Sequence, residues 1–432
     1  MGKKVAVLFS VLFLVSVIGV SASALTPNEQ LGKSIFFDDN LSINMNQSCA
    51  ACHAPESGWT GPNSAINALG SVYEGSIPTR FGNRKPPSSA YATLSPILHY
   101  WVVDRKEPLF IGGNFWDGRA TGERLGNPAA DQAGGPFLNP LEQASPDKAC
   151  IVYKVCNPVI AYPVSFESVW GAGACDIAWP TDIDSVCATE GGYVSLSSSD
   201  RDKSAMSYDN IALSIATYED SPEVNAFTSK YDLSLMDMAK LSKQERKGFA
   251  LFQGKGKCAR CHISSGPQPL FTDFTYDNLG LPKNPDNPFY YADPTFNTAG
   301  YDWIDEGLGG FLFTRGDYSA YADANYGKQK VPTLRNVDKW DTSLLGSKVK
   351  AYGHNGYFKS LEGIVHFYNT RDVLPVCPDD YTEADALYVN CWPSPEVPEN
   401  VNTSELGDLG LTPKEEAAIV AFLTTLSDGY VP

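Results

Sequence analysis

Two short runs constrain this chain more than anything else in it: Cys49-Ala50-Ala51-Cys52-His53 and Cys258-Ala259-Arg260-Cys261-His262. A Cys-x-x-Cys-His run is the attachment signature of c-type haem. Its two thiols add to the porphyrin's vinyl groups, and the adjacent histidine ligates iron from the proximal side. Cysteine pairs also serve zinc sites and thioredoxin-like redox centres. Two copies behind an export signal, each preceded by a capped helix, select haem instead. The expected cofactors are therefore two covalently bound haem c groups. Cys49, Cys52, Cys258 and Cys261 would attach them, with His53 and His262 as proximal iron ligands.

The sequence around the motifs repeats. Thr26-Pro27-Asn28-Glu29 reads as an N-cap, a proline at N1 and a glutamate at N3, and the helix it opens carries Leu31, Gly32, Ile35 and Phe36. Ser242 and Glu245 open a second such helix, with Gly248, Phe249, Leu251 and Phe252. A capped helix, a glycine four residues before a phenylalanine, and then the motif recur in that order, which predicts two related domains. A third capped helix starts at Thr412, Pro413 and Glu415 and presents Ala418, Ile419, Phe422 and Leu423 on one face. Strands are not clearly signalled. The expected fold is mainly α: two cytochrome c-like haem domains, residues 25–205 and 206–432, with long irregular loops and insertions. Residues 112–202, including a cysteine-bearing insertion at 150–187, read as mostly loop.

Residues 1–24 read as a signal peptide: Lys3 and Lys4, an apolar run from Val5 to Val20, then Ala22-Ser23-Ala24 as the cleavage site. That run is short and interrupted for a spanning helix, so no transmembrane segment is expected in the mature chain. Export places the protein in the periplasm or on the outer cell surface. Six cysteines outside the motifs suit an oxidising compartment. The loops they bracket suggest pairs Cys377–Cys391 and Cys175–Cys187, leaving Cys150 with Cys156. The net charge of -17, two units more negative once Lys3 and Lys4 leave, argues against nucleic acid as a partner. It suits a small cationic redox protein, or simply solubility.

The sixth iron positions carry the functional question, and scarcity narrows them. Beyond His53 and His262 only His99, His354 and His366 remain, and no methionine follows Met238. A ligand for the second haem taken from downstream is thus not methionine. Ser360 caps a helix in which Leu361, Ile364, Val365 and Tyr368 share a face. Tyr368 therefore points into the core or at a haem, with His354 as the weaker alternative, while His366 lies off that face, toward solvent. Near the first haem, Met45 sits in a loop and His99 reads as a core histidine. An open iron site is plausible there.

Phe115-Trp116-Asp117-Gly118-Arg119-Ala120, Asp131-Gln132-Ala133-Gly134-Gly135-Pro136 and Asn139-Pro140-Leu141-Glu142 resemble the N-terminal signature of bacterial dihaem cytochrome c peroxidases and MauG-type enzymes. Val331 to Val337, Tyr352 to Gly356 and Leu361 to Asn369 resemble the C-terminal one. The resemblance implies that the N-terminal haem reduces hydrogen peroxide with electrons passed through the C-terminal haem. It implies Glu142 as distal acid–base beside Gln132, and Trp116 as electron relay, though a core tryptophan and a loop glutamate are the bland alternatives. Classical members carry a blocking histidine soon after the first motif and a methionine on the second haem. This chain has neither, and Tyr368 stands at the methionine's position, as in MauG. The family also binds calcium through an asparagine side chain and two backbone carbonyls. Here Lys85 replaces that asparagine, leaving Asn83, Val349 and Ala351 as candidate ligands.

Three readings follow from this. One is a peroxidase fed by a small cytochrome c or cupredoxin. The second is MauG-like oxidation of a tryptophan in a partner protein. The third is a dihaem electron carrier with both irons saturated. A homodimer is the candidate assembly.

Overall fold

The computed structural model describes residues 24–102, 109–157, 159 and 162–432. Of the expected signal segment, residues 1–24, all but Ala24 lie outside them. Among the described residues helices dominate, and the strands form two small antiparallel pairs, His99–Trp101 with Leu109–Ile111 and Tyr276–Asp277 with Gln329–Lys330. No helix among the described residues is long and apolar enough to cross a membrane.

Each haem motif follows a helix that crosses a later one. Helix Pro27–Phe36 closes a capping box in which Thr26 Oγ1 accepts from the Glu29 amide at 3.3 Å and Glu29 Oε2 accepts from the Thr26 amide at 2.6 Å. It buries Leu31, Gly32, Ile35 and Phe36 against helix Ser198–Glu219. Contact is closest at Gly32, where any Cβ would overlap the Ser214 carbonyl oxygen. One turn on, Phe36 meets Tyr218 edge-on at 5.7 Å. Helix Lys243–Gln253 repeats this against helix Pro413–Leu423: a Cβ on Gly248 would overlap the Ala418 carbonyl oxygen, and Phe252 meets Phe422 at 5.2 Å. The glycine-then-phenylalanine spacing is thus the code for a backbone-close helix crossing. One apolar core gathers around the first crossing and another around the second.

Helix Ser198–Glu219 runs through the expected boundary at 205/206, and its Tyr208, Ile211 and Ile215 pack in the first core. Other expectations need correction. Within the 112–202 stretch read as mostly loop, the 150–187 insertion is the most helical part. It contains helices Lys148–Cys156, Pro163–Trp170 and Ile183–Cys187, and it buries Cys150, Ile183, Cys187 and Val194 together. Its disulfides are Cys150–Cys187 and Cys156–Cys175, whereas Cys377–Cys391 forms as expected. Cys150 and Cys156 lie six residues apart on one helix, a rise of about 9 Å, and a disulfide needs Cα atoms within roughly 7 Å. Each cysteine therefore faces a different partner.

Candidate active site

Each motif folds as a tight turn. The His53 amide donates to the Cys49 carbonyl at 3.0 Å and the His262 amide to the Cys258 carbonyl at 2.9 Å. This turn swings the histidine back beside its cysteines. His53 Nδ1 lies 3.3 Å from the Trp59 carbonyl oxygen, and His262 Nδ1 lies 2.8 Å from that of Phe271. A carbonyl only accepts, so both Nδ1 atoms carry the proton and both Nε2 atoms present a lone pair. Metal-ligating histidines are commonly oriented in this way. Burial pushes both imidazoles down to about 4, which keeps them neutral and able to ligate near neutral pH.

The four motif cysteines are unpaired while the other six form disulfides. All four, with both histidines, line one continuous cavity. Free thiols in pairs beside a preset imidazole, twice on one cavity wall, fit haem.

On the first motif's side the cavity is lined by Gln132, Glu142, Arg119 and Trp116. Glu142 is half-buried, and Asn139 Nδ2 donates to its Oε1 at 3.0 Å. Burial raises its carboxyl above the ordinary range, while Arg119 and Asn139 oppose that shift. The Arg119 guanidinium stacks 3.7 Å from the Phe115 ring centre and binds Asp117 at 2.8 Å. Trp116 is held at both ends. Its indole N–H donates to the Lys85 carbonyl at 2.9 Å, and its own carbonyl accepts from the Lys330 amide at 2.7 Å. None of the four described methionines lines the cavity, and Met45 is 56 % exposed. His99 sits on its short strand with Nδ1 bound to Ile97 O, outside the cavity.

On the second motif's side, helix Leu361–Thr370 turns Leu361, Ile364, Val365 and Tyr368 into the cavity, the face read from their spacing. Burial, then the nearby Cys258 and Cys261 sulfurs, push the Tyr368 phenol up. His354 also borders the cavity, but its Nε2 is engaged by Glu396 at 3.4 Å. His366 is not solvent-facing as expected. It is half-buried, with Nδ1 bound to Glu416 at 3.0 Å and its ring 5.9 Å from Trp392, because the closing helix covers that side.

Sequence reasoning assigned no role to Arg119, although it stands in the Trp116 segment. It also missed Glu219, a carboxyl only 3 % exposed that lines the cavity with Oε2 unpartnered. Nothing local marks Glu219, which stands at the end of a long helix.

The comparisons with known proteins agree with this geometry. Residues 26–240 match the family model described as di-haem cytochrome c peroxidase. The chain is 31 % identical over 407 residues to the methylamine utilization protein MauG of Paracoccus denitrificans, covering 92 % of this chain and 88 % of that one. This chain belongs to the di-haem cytochrome c peroxidase family, MauG included. The cytochrome c551 peroxidase of Nitrosomonas europaea is 25 % identical over 320 residues, covering 73 % and 68 %. The crystal structure of the diheme peroxidase BthA from Burkholderia thailandensis superposes with a TM-score of 0.66 at 27 % identity, over 94 % of this chain and 90 % of that one. As a di-haem cytochrome c peroxidase family member, the protein is a haem-dependent oxidoreductase, and the family implies two haem groups.

Calcium, which the resemblance also implied, does not fit the residues present. Calcium takes six to eight oxygen ligands. At the expected site Lys85 brings a buried ammonium, and Lys350 brings a second one between the two carbonyl residues. The Val349 carbonyl already accepts from Asn67 Nδ2 at 2.9 Å.

Proposed function

We propose that this protein reduces hydrogen peroxide at the His53 site, with electrons arriving by way of the His262 site. The haem held there supplies the iron at which peroxide is reduced. The carrying observation is that Glu142, Gln132 and Arg119 line the cavity with His53, whereas Met45 and His99 do not reach it. The balance is one peroxide, two electrons and two protons to two waters. Glu142 removes the proton from one peroxide oxygen and returns it to the other as water departs. Its raised carboxyl suits a group that must gain and lose a proton within one turnover. Gln132 orients the peroxide by hydrogen bonding. Arg119 offsets the charge left when Glu142 is ionised. Trp116, fixed at both ends, is the aromatic group through which electrons pass.

Thioether links at Cys49, Cys52, Cys258 and Cys261 and ligation by Tyr368 complete the reading. So does a division into two haem domains after helix Ser198–Glu219. Three disulfides and two haem attachment motifs favour the periplasm or outer cell surface. The test is peroxide-dependent oxidation of a reduced small cytochrome c or cupredoxin. The wild type is expected to turn over and to show high-spin ferric haem. Glu142→Gln is expected to keep that spectrum and lose roughly 10²- to 10⁴-fold in kcat. A purely low-spin spectrum would leave only the electron carrier.

The second reading, oxidation of a tryptophan in a partner protein, is favoured by Tyr368 in the cavity and by the similarity to MauG. Negligible turnover with cytochrome c, beside a long-lived oxidised state after peroxide, would select it.

A further inference from the structure

We propose that Lys85 and Lys350 replace the family's calcium with two built-in cations, so that the segment after the first haem motif is joined to residues 336–350 without a metal ion. Lys85 is 8 % exposed and Lys350 5 % exposed. A buried ammonium is costly unless its three N–H donors find acceptors. Lys350 Nζ finds three carbonyl oxygens, Ser57 at 2.8 Å, Asn336 at 2.7 Å and Lys339 at 3.2 Å. Ser57 follows the first haem motif, and Asn336 and Lys339 follow the second. One side chain thus ties the two regions together, as a shared metal ion would. Gly58 admits it, since a Cβ there would stand 3.1 Å from the ammonium and closer still to the Asn336 carbonyl.

Lys85, also on the cavity wall, reaches the second half through its backbone rather than its ammonium. Its Nζ donates to Thr60 Oγ1 at 2.9 Å and to the Pro86 carbonyl at 3.0 Å. Its backbone carbonyl holds the Trp116 indole, and its backbone amide donates to the His354 carbonyl at 2.8 Å. Burial, and then the Lys85 charge, push the Lys350 amine well below the ordinary lysine range, a cost that its three carbonyl acceptors oppose. A divalent ion brought among these groups would meet two cations, with Asn67 already bound to the Val349 carbonyl.

The test uses the purified holoprotein. Elemental analysis is expected to find calcium far below one per chain. A chelator or added calcium is expected to leave the haem optical spectrum and the thermal midpoint unchanged. About one tightly held calcium per chain, whose removal alters the spectrum or lowers the midpoint, overturns the proposal. Lys350→Met is expected to lower the midpoint, and Lys85→Asn to make it rise on adding calcium, as ligand binding to the folded state requires. If neither variant folds, calcium content and chelator response of the wild type still decide. Failure of the peroxidase reading leaves these measurements untouched.

Discussion

At the scale of single residues, charge in the cavity is the main control. Glu219 is buried without a partner for Oε2, and burial pushes its carboxyl up to about 8. The folded state therefore binds a proton that the unfolded chain releases above pH 4.5. Stability should fall as pH rises from about 4.5 to 8, by an amount on the order of a few kcal/mol. Urea titrations across that range should show this slope, and Glu219→Gln should flatten it. Tyr368, the proposed ligand of the second haem, is the other residue to test. A phenolate favours oxidised iron, so Tyr368→Met should raise the midpoint potential of the second haem in a spectroscopic redox titration. No change would mean that Tyr368 is a core residue only.

The two helix crossings act at the scale of elements. Their glycines stand where one helix backbone touches the next, so a single methyl group forces the pair apart. Gly32→Ala and Gly248→Ala should each destabilise by about 3 kcal/mol, measured as a fall in the urea midpoint. The same alanine at Gly316, where nothing lies within 4 Å of a Cβ, serves as control. The repeat was readable because this contact imposes a fixed glycine-to-phenylalanine spacing. The insertion's helices were not readable because they are short and their Gly- and Pro-rich flanks resemble loops; disulfides and a local apolar cluster hold them.

The whole molecule is tied across its halves by ion pairs that no local pattern announces. Arg84 binds Asp305 through two hydrogen bonds of 2.6 Å and Asp117 at 2.5 Å. Burial alone would raise the Asp305 carboxyl, but the Arg84 charge and hydrogen bonds win and hold it well below the ordinary range. This contribution is present above the unfolded value of about 3.8 and is lost as pH falls below it. Arg84→Met leaves the buried Asp305 without its arginine, while Asp117 keeps Arg119, and should cost about 3–5 kcal/mol in chemical denaturation. It should also remove the acid-sensitive part of the unfolding curve.

The sequence alone determined the haem chemistry and the helices that frame it. Attachment motifs, caps and the shared face of Leu361, Ile364, Val365 and Tyr368 are local, so spacing records them. Tertiary structure alone decided the pairing of Cys150 and Cys156, the partner of His366, the burial of Glu219 and the places of Lys85 and Lys350. Each of these depends on which distant backbone or side chain arrives at a given point. That is set by how the two cores pack together, which no short stretch of sequence encodes.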